Sequence, residues 1–395
     1  MSILAPQYLY PWVFDGVPAF QISAICVLLA FLLAFLNKSI DLSVYRHKQN
    51  ICLALLFILV HLSDWLSPFQ QGSRAADKNL VISTLNTIFL MYFVSLPFLM
   101  SEKALKWLLL TFLSVLVYYV YWSNLAYFSF DISKFNMGRL MGPSGTPYKD
   151  ENKFSVLFVV GAPFFLFGIF FLEKRLYKFL CGLTLLFLWH AIFLTGSRAA
   201  LLACIVTTLF AAKLINSKKI RLVLVLGFFA IVVDQGAESF SRSSETIANA
   251  QERENEPIDP RVSSWTAGLG FMAEHPLLGI GTQRFQEATR HYYPEKHPYV
   301  AHNTFISIAS ESGLIAGFIF LYIYVLNFQQ TRRALKEDNE INRFNEYLMK
   351  ASLTALTGFY ICSMFLDLLI YEMFYLLLLI MLANHIVSAA QSKRE

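Results

Sequence analysis

Three cationic residues stand out for where they fall. Arg198 follows Ser197 in TGSRAALLA, Arg261 follows Pro260 in DPRVSSW, and His302 opens HNTFISIASESGLIAG. Each lies where the pattern predicts the start of a helix. A helix start exposes unpaired backbone N–H groups and the positive end of the helix dipole, so it is a ready anion site. A cation there opposes the dipole, and a bound anion would resolve the conflict. Each residue also has a plainer reading. An Arg ending a span can snorkel to headgroups, Arg261 can be a surface charge beside an acidic loop, and a His before Asn-Thr can cap or pack.

These residues sit in an unusually apolar chain. Of its 395 residues, 56% are hydrophobic, 16% aromatic and 15% charged. Soluble domains carry nearer one quarter charged residues. The composition excludes a water-soluble enzyme, a disordered chain and a disulfide scaffold. It points to an all-α polytopic membrane protein, because apolar runs of about 20 residues match the roughly 30 Å hydrocarbon core. The net charge of +5 says little by itself. The five cysteines, Cys26, Cys52, Cys181, Cys204 and Cys362, lie inside apolar runs without metal-ligand spacing and read as small buried hydrophobes.

About eleven apolar runs are expected to span, at 18–36, 51–66, 80–100, 104–122, 154–172, 176–194, 198–215, 219–233, 303–326, 347–366 and 369–388. Residues 1–17, broken by Pro6 and Pro11, are too short and read as an interfacial piece, a re-entrant piece or part of a further span. They lack Lys, Arg and a small-residue cleavage site, so no cleaved signal peptide is expected. The connecting segments alternate in charge. One set holds Lys103, Lys106, Lys174, Arg175, Arg332 and Arg333 among others, and positive-inside bias places it in the cytoplasm. The opposite face then receives 67–79, 123–153, the turn at 195–198 and a long loop at 234–302. Three regions follow: a transmembrane bundle over 1–233, a non-cytoplasmic loop over 234–302 and C-terminal spans over 303–395. In the loop, Asp259 and Pro260 can start a helix that His275-Pro276 stops, and LLGIGTQRF turns into a second short helix. Both would suit the membrane–water interface.

Several chemistries lack their signatures. There is no Walker A loop, Rossmann glycine fingerprint, HExxH or GxSxG. Glu252, Glu254 and Glu256 read as a solvated run, and His275, His291 and His297 lack the spacing of a metal site.

SRAALLA, HPLLGIGTQRF and HNTFISIASESGLIAG resemble segments of the bacterial O-antigen ligase and polymerase superfamily, over roughly residues 180–325. The resemblance implies a GT-C-like fold with about 11 or 12 spans. It implies a glycosyltransferase of lipopolysaccharide biosynthesis in the Gram-negative inner membrane, with its site facing the periplasm. The donor would be an O-antigen glycan on undecaprenyl diphosphate and the acceptor a hydroxyl of lipid A–core. Transfer would invert the anomeric centre and need neither metal nor cofactor, and no nucleic-acid partner is expected. Arg198 and Arg261 match the family's diphosphate-binding arginines, and His302 and Asn303 its HN motif. Asp367, in CSMFLDLLIYEMF, matches more loosely an acidic residue near the last spans, and a polar helix-end role competes with that reading.

Loss of a glycosyl diphosphate gathers negative charge on the leaving group. Two guanidiniums can hold it with planar, multidentate hydrogen bonds. His302 could accept the proton of the attacking hydroxyl or donate to phosphate. Asp367 and Glu311 are rival bases, although Glu311 falls about half a turn away from His302 on a straight helix. Arg139 and Lys149, in the segment 123–153, could contact glycan or phosphate, or belong to a solvated loop. A polymerase and a protein glycosylating enzyme of the same superfamily are alternatives, and a secondary transporter of small anions is the alternative from another class.

Overall fold

The computed structural model describes residues 6–14, 16–69, 79–215, 218, 260–294, 298–337 and 341–392. Two short helical turns, Pro6–Leu9 and Pro11–Phe14, precede the first long helices. These are α1 (Ala19–Leu36), α2 (Lys48–Leu66), α3 (Leu80–Ser95) and α4 (Glu102–Phe128). A hairpin of β1 (Phe135–Asn136) and β2 (Arg139–Leu140) leads to α5 (Glu151–Phe171), α6 (Arg175–Thr195) and α7 (Arg198–Leu214). Next come the short helices α8 (Pro260–Glu274), α9 (Phe285–Tyr292) and α10 (Thr304–Ser312). The long α11 (Leu314–Glu337), α12 (Arg343–Ser363) and α13 (Glu372–Ser392) complete the chain. The protein is an all-α, polytopic membrane protein.

The centre of the bundle is α5. Every residue from Phe154 to Gly168 is buried, because α6, α7 and α12 pack around it. Helices can approach this closely only where a side chain is missing. A Cβ on Gly358 of α12 would collide with Thr207 of α7 and Val159 of α5. The opposite case is α1, which is apolar all round yet buries only Ala19. In water such a helix would be a liability, whereas in lipid it is a stable outer span.

Eight helices among the described residues are long and apolar enough to cross a membrane. The expected runs outnumber them for identifiable reasons. The run at 219–233 lies outside the described residues, as do Asp259 and the acidic run at Glu252–Glu256. Helix α7 has 17 residues, at the lower end of the lengths that cross a bilayer. Helix α12 carries Arg343, Glu346 and Lys350 in its first turns and buries Asn345, Ser352 and Thr354 against its neighbours. The run at 303–326 is not one helix. It breaks at Gly313, whose φ of 91° suits glycine, and a Cβ there would strike the Leu277 carbonyl. The HN motif therefore opens a short helix, α10, and the span begins only at Leu314.

The two sets of connecting segments separate to opposite ends of the bundle. At one end Glu102 accepts from Asn342 (3.0 Å) and Gln391 (2.9 Å), and Arg343 donates to the Phe170 carbonyl (3.3 Å). At the other end the segments around 67–69, 123–153, 195–198 and 260–302 bond to one another, and the candidate residues lie there.

Candidate functional site

The turn TGSR is two helix caps in succession. Gly196, with φ 59°, ends α6, and the Ser197 hydroxyl accepts from Ala200 N at the start of α7. Arg198 is thus the first helical residue and is exposed, with no hydrogen bond or ion pair among the described residues. Its turn is held from outside by Arg139, whose Nε donates to the Thr195 carbonyl (3.0 Å). The other two guanidinium nitrogens of Arg139 donate to Glu151 Oε1 (2.5 Å) and Asn152 Oδ1 (2.8 Å) at the start of α5. All three nitrogens of Arg139 have protein acceptors, so it positions the Arg198 turn against α5. Lys149 is exposed on the loop just before Asp150, the residue that caps α5.

From α5 the links run on. Tyr371 donates its hydroxyl to the Lys153 carbonyl (2.8 Å). Tyr371 ends the loop between α12 and α13, and that loop is stitched to the HN motif. Asn303 Nδ2 donates to the Met364 carbonyl (3.1 Å), and the Thr304 hydroxyl donates to the Leu366 carbonyl (2.6 Å) while accepting from Leu368 N (3.0 Å). Asp367, from the same loop, accepts from His302 N through Oδ2 (3.2 Å). Asn303 also caps α10 by accepting from Ile306 N (3.0 Å), so both ends of its amide are engaged. The N–H of His302 is therefore already paired, and the start of α10 is already capped. His302 has φ 49°, a left-handed conformation uncommon for a side chain of this size.

Arg261 approaches from the other direction. It lies one turn before Trp265 on the same face of α8, and the Trp265 indole donates to the Ala301 carbonyl next to His302 (2.9 Å). Arg261 is half-buried there. The structure places Arg198, Arg261, His302 and Asp367 at one end of the bundle, joined through Arg139, α5, Tyr371 and Trp265.

Two acids set the local electrostatics. Asp367 has its carboxyl raised by burial, opposed by His302 and Lys153 and by the N–H groups it accepts from. Its Oδ1 is shut off from solvent and has no hydrogen-bond partner among the described residues. Burial pushes Glu311 up to about 8, and the nearby Asp367 charge adds to the rise, against Arg284 and the N–H groups of Gln283 and Phe285. The Glu311 side chain accepts from Phe285 N at the start of α9 (3.3 Å).

Two further features carry weak signals in the sequence. Lys153 sits in the first turn of α5, where an acid would be the ordinary choice. Arg284, at the end of LLGIGTQR, is buried and anchors the loop to α2. It donates to Asp64 Oδ1 (2.5 Å) and to the carbonyls of Phe69 (2.8 Å), Thr282 (2.8 Å) and Asp64 (3.1 Å). The glycines of that motif make room for the docking. A Cβ on Gly279 would meet the Glu311 backbone, and one on Gly281 would meet Ser67.

Residues 183–321 match a family model described as O-antigen ligase. Over this stretch, about a third of the chain, the protein is similar to the O-antigen ligase family. No curated protein matches the chain. The O-antigen ligase match contains Arg198, Arg261, His302, Asn303, Arg284 and Glu311, while Arg139, Lys149, Lys153 and Asp367 lie outside it.

Proposed function

We propose that this chain, similar to the O-antigen ligase family over residues 183–321, transfers a glycan from undecaprenyl diphosphate to a sugar hydroxyl of lipid A–core, at the periplasmic face of the Gram-negative inner membrane. The observation that carries the reading is the O-antigen ligase match over the stretch that holds Arg198, Arg261 and His302. In the proposed site the exposed Arg198 and the half-buried Arg261 take the diphosphate. As the glycosyl–oxygen bond breaks, charge gathers on the leaving group, and two guanidiniums stabilise it without a metal. The acceptor hydroxyl attacks the opposite face of the anomeric carbon, which inverts it. His302 is the favoured proton acceptor, because Asp367 is already held against the His302 backbone and its second oxygen is sealed from solvent. Asp367 positions His302 rather than attacking substrate.

The test is reconstitution in vesicles with polyprenyl diphosphate-linked glycan and lipid A–core. The expected product is glycosylated lipid A–core, formed equally well in EDTA. Arg198→Ala, Arg261→Ala and His302→Ala should each cut the rate by about 10²–10³, equivalent to roughly 2.7–4 kcal/mol per lost contact. Arg→Lys should not restore it, since an ammonium lacks the planar fork. Lengthened lipid-linked glycan with unmodified lipid A–core would assign polymerase activity instead. Uptake of small anions without transfer would reject the enzyme.

A further inference from the structure

The most exposed large hydrophobic side chains among the described residues are gathered in one loop. Met137 is 91% exposed, Phe130 87% and Ile132 82%, all within the segment 129–141 that follows α4 and contains the β hairpin. Two of them are held in the left-handed backbone region, Phe130 at φ 54° and Met137 at φ 47°. Glycine or asparagine would suit those positions with less strain, so the bulk is kept against a backbone preference. Such residues in water would be an aggregation hazard.

The helix before them shows where they lie. The outward face of α4 carries Trp107, Leu110, Val117, Tyr121, Leu125 and Phe128, all exposed and spaced as one stripe along the helix. From Trp107 to Phe128 the helix rises about 31 Å, which matches the roughly 30 Å hydrocarbon core. Aromatic residues at both ends of that stripe suit the two membrane–water interfaces. Phe130 and Ile132 follow within a few residues, so they continue a lipid-facing surface at headgroup level. The one lysine of the same segment is held locally. Lys134 lies over the Trp122 ring at 4.8 Å from its centre and pairs with Asp131 at 3.2 Å.

We propose that the segment 129–141 is a membrane-dipping hairpin that inserts Phe130, Ile132 and Met137 into the lipid leaflet on the site's side of the membrane. Its occupant is the interfacial layer of the bilayer itself. Arg139 begins the returning strand and is fixed to the Thr195 carbonyl and to the start of α5. The hairpin therefore holds the leaflet at a set height beside the Arg198 turn, where a lipid-borne substrate would enter sideways. The insertion itself stands without the transferase reading, and its test needs no enzymatic activity.

The test places a nitroxide at Ile132→Cys and, separately, at Met137→Cys in a Cys26→Ser background, with the unsubstituted background labelled in parallel as a blank. The full-length protein is held in nanodiscs of phosphatidylethanolamine and phosphatidylglycerol. Collision with oxygen, which concentrates in lipid, is compared with collision with a water-soluble nickel chelate. Insertion predicts at least a fivefold higher oxygen-to-nickel ratio than for a label at Lys149→Cys. Equal ratios would overturn it. Broadening between labels that disappears on dilution with unlabelled protein would also overturn it, by showing that a second copy covers the hairpin.

Discussion

Glu311 is a residue outside the spans whose chemistry the fold changes. Its carboxyl ordinarily titrates near 4.5 and here is pushed up to about 8. Between those values the folded chain keeps a proton that the unfolded chain releases. Stability on this account is highest at low pH and falls as pH rises from about 4.5 to about 8, then levels off. In Glu311→Gln that slope should disappear while the contact to Phe285 N is kept by the amide oxygen. Thermal midpoints in detergent at about pH 5 and about pH 8 check this; an undiminished drop in the variant would contradict it. The helix starts that carry Arg198, Arg261 and His302 were legible from the sequence because each lies in a short motif. The environment of Glu311 was not, since it depends on the docked loop around Arg284 and on Asp367, 56 residues further on, and neither leaves a local trace.

At the scale of elements, the short helices α8, α9 and α10 are fastened to the bundle by a few polar contacts. The chief one is Arg284 with Asp64, whose side chains are 9% and 23% exposed. Removing one partner strands a charge with little water around it, so Arg284→Ala should cost about 3–5 kcal/mol of stability. Changing both, Arg284→Met with Asp64→Leu, should recover part of that loss, though not the carbonyl contacts at Phe69 and Thr282. Denaturation in detergent reads both; a double variant no better than Arg284→Ala would show that the carbonyl contacts dominate. The sequence showed the helix from Pro260, its stop before His275-Pro276 and the second short helix. It did not show the break at Gly313, because the residues on both sides form one apolar run and only the approach of the Leu277 carbonyl demands a glycine there.

Across the whole molecule, charge alternation along the chain divides the loops into two sets that bond among themselves at opposite ends. That division was readable because lysines and arginines in short loops are counted easily. The number of spans was harder to read, since hydropathy scores apolar character without telling a lipid-facing helix such as α1 from one enclosed by protein such as α5. The absolute sidedness has a direct check. With a membrane-impermeant maleimide on spheroplasts, a Lys149→Cys variant in the Cys26→Ser background should label readily. A Lys106→Cys variant should label only after permeabilisation. The reverse pattern would place the site in the cytoplasm and remove the lipid A–core reading.

Five of the links that assemble the site share one trait. Arg139, Tyr371, Trp265, Asn303 and Thr304 donate to carbonyl oxygens of Thr195, Lys153, Ala301, Met364 and Leu366. A carbonyl is supplied by whatever amino acid occupies its place, so half of each link is indifferent to spelling. At those receiving positions the hydrogen bond constrains no letter, and only packing does, as at the buried Thr195, Ala301 and Leu366. Two proteins could thus share this scaffold while their letters diverge along the receiving half as far as packing allows, which makes kinship outside the recognisable stretch easier to find by shape than by text.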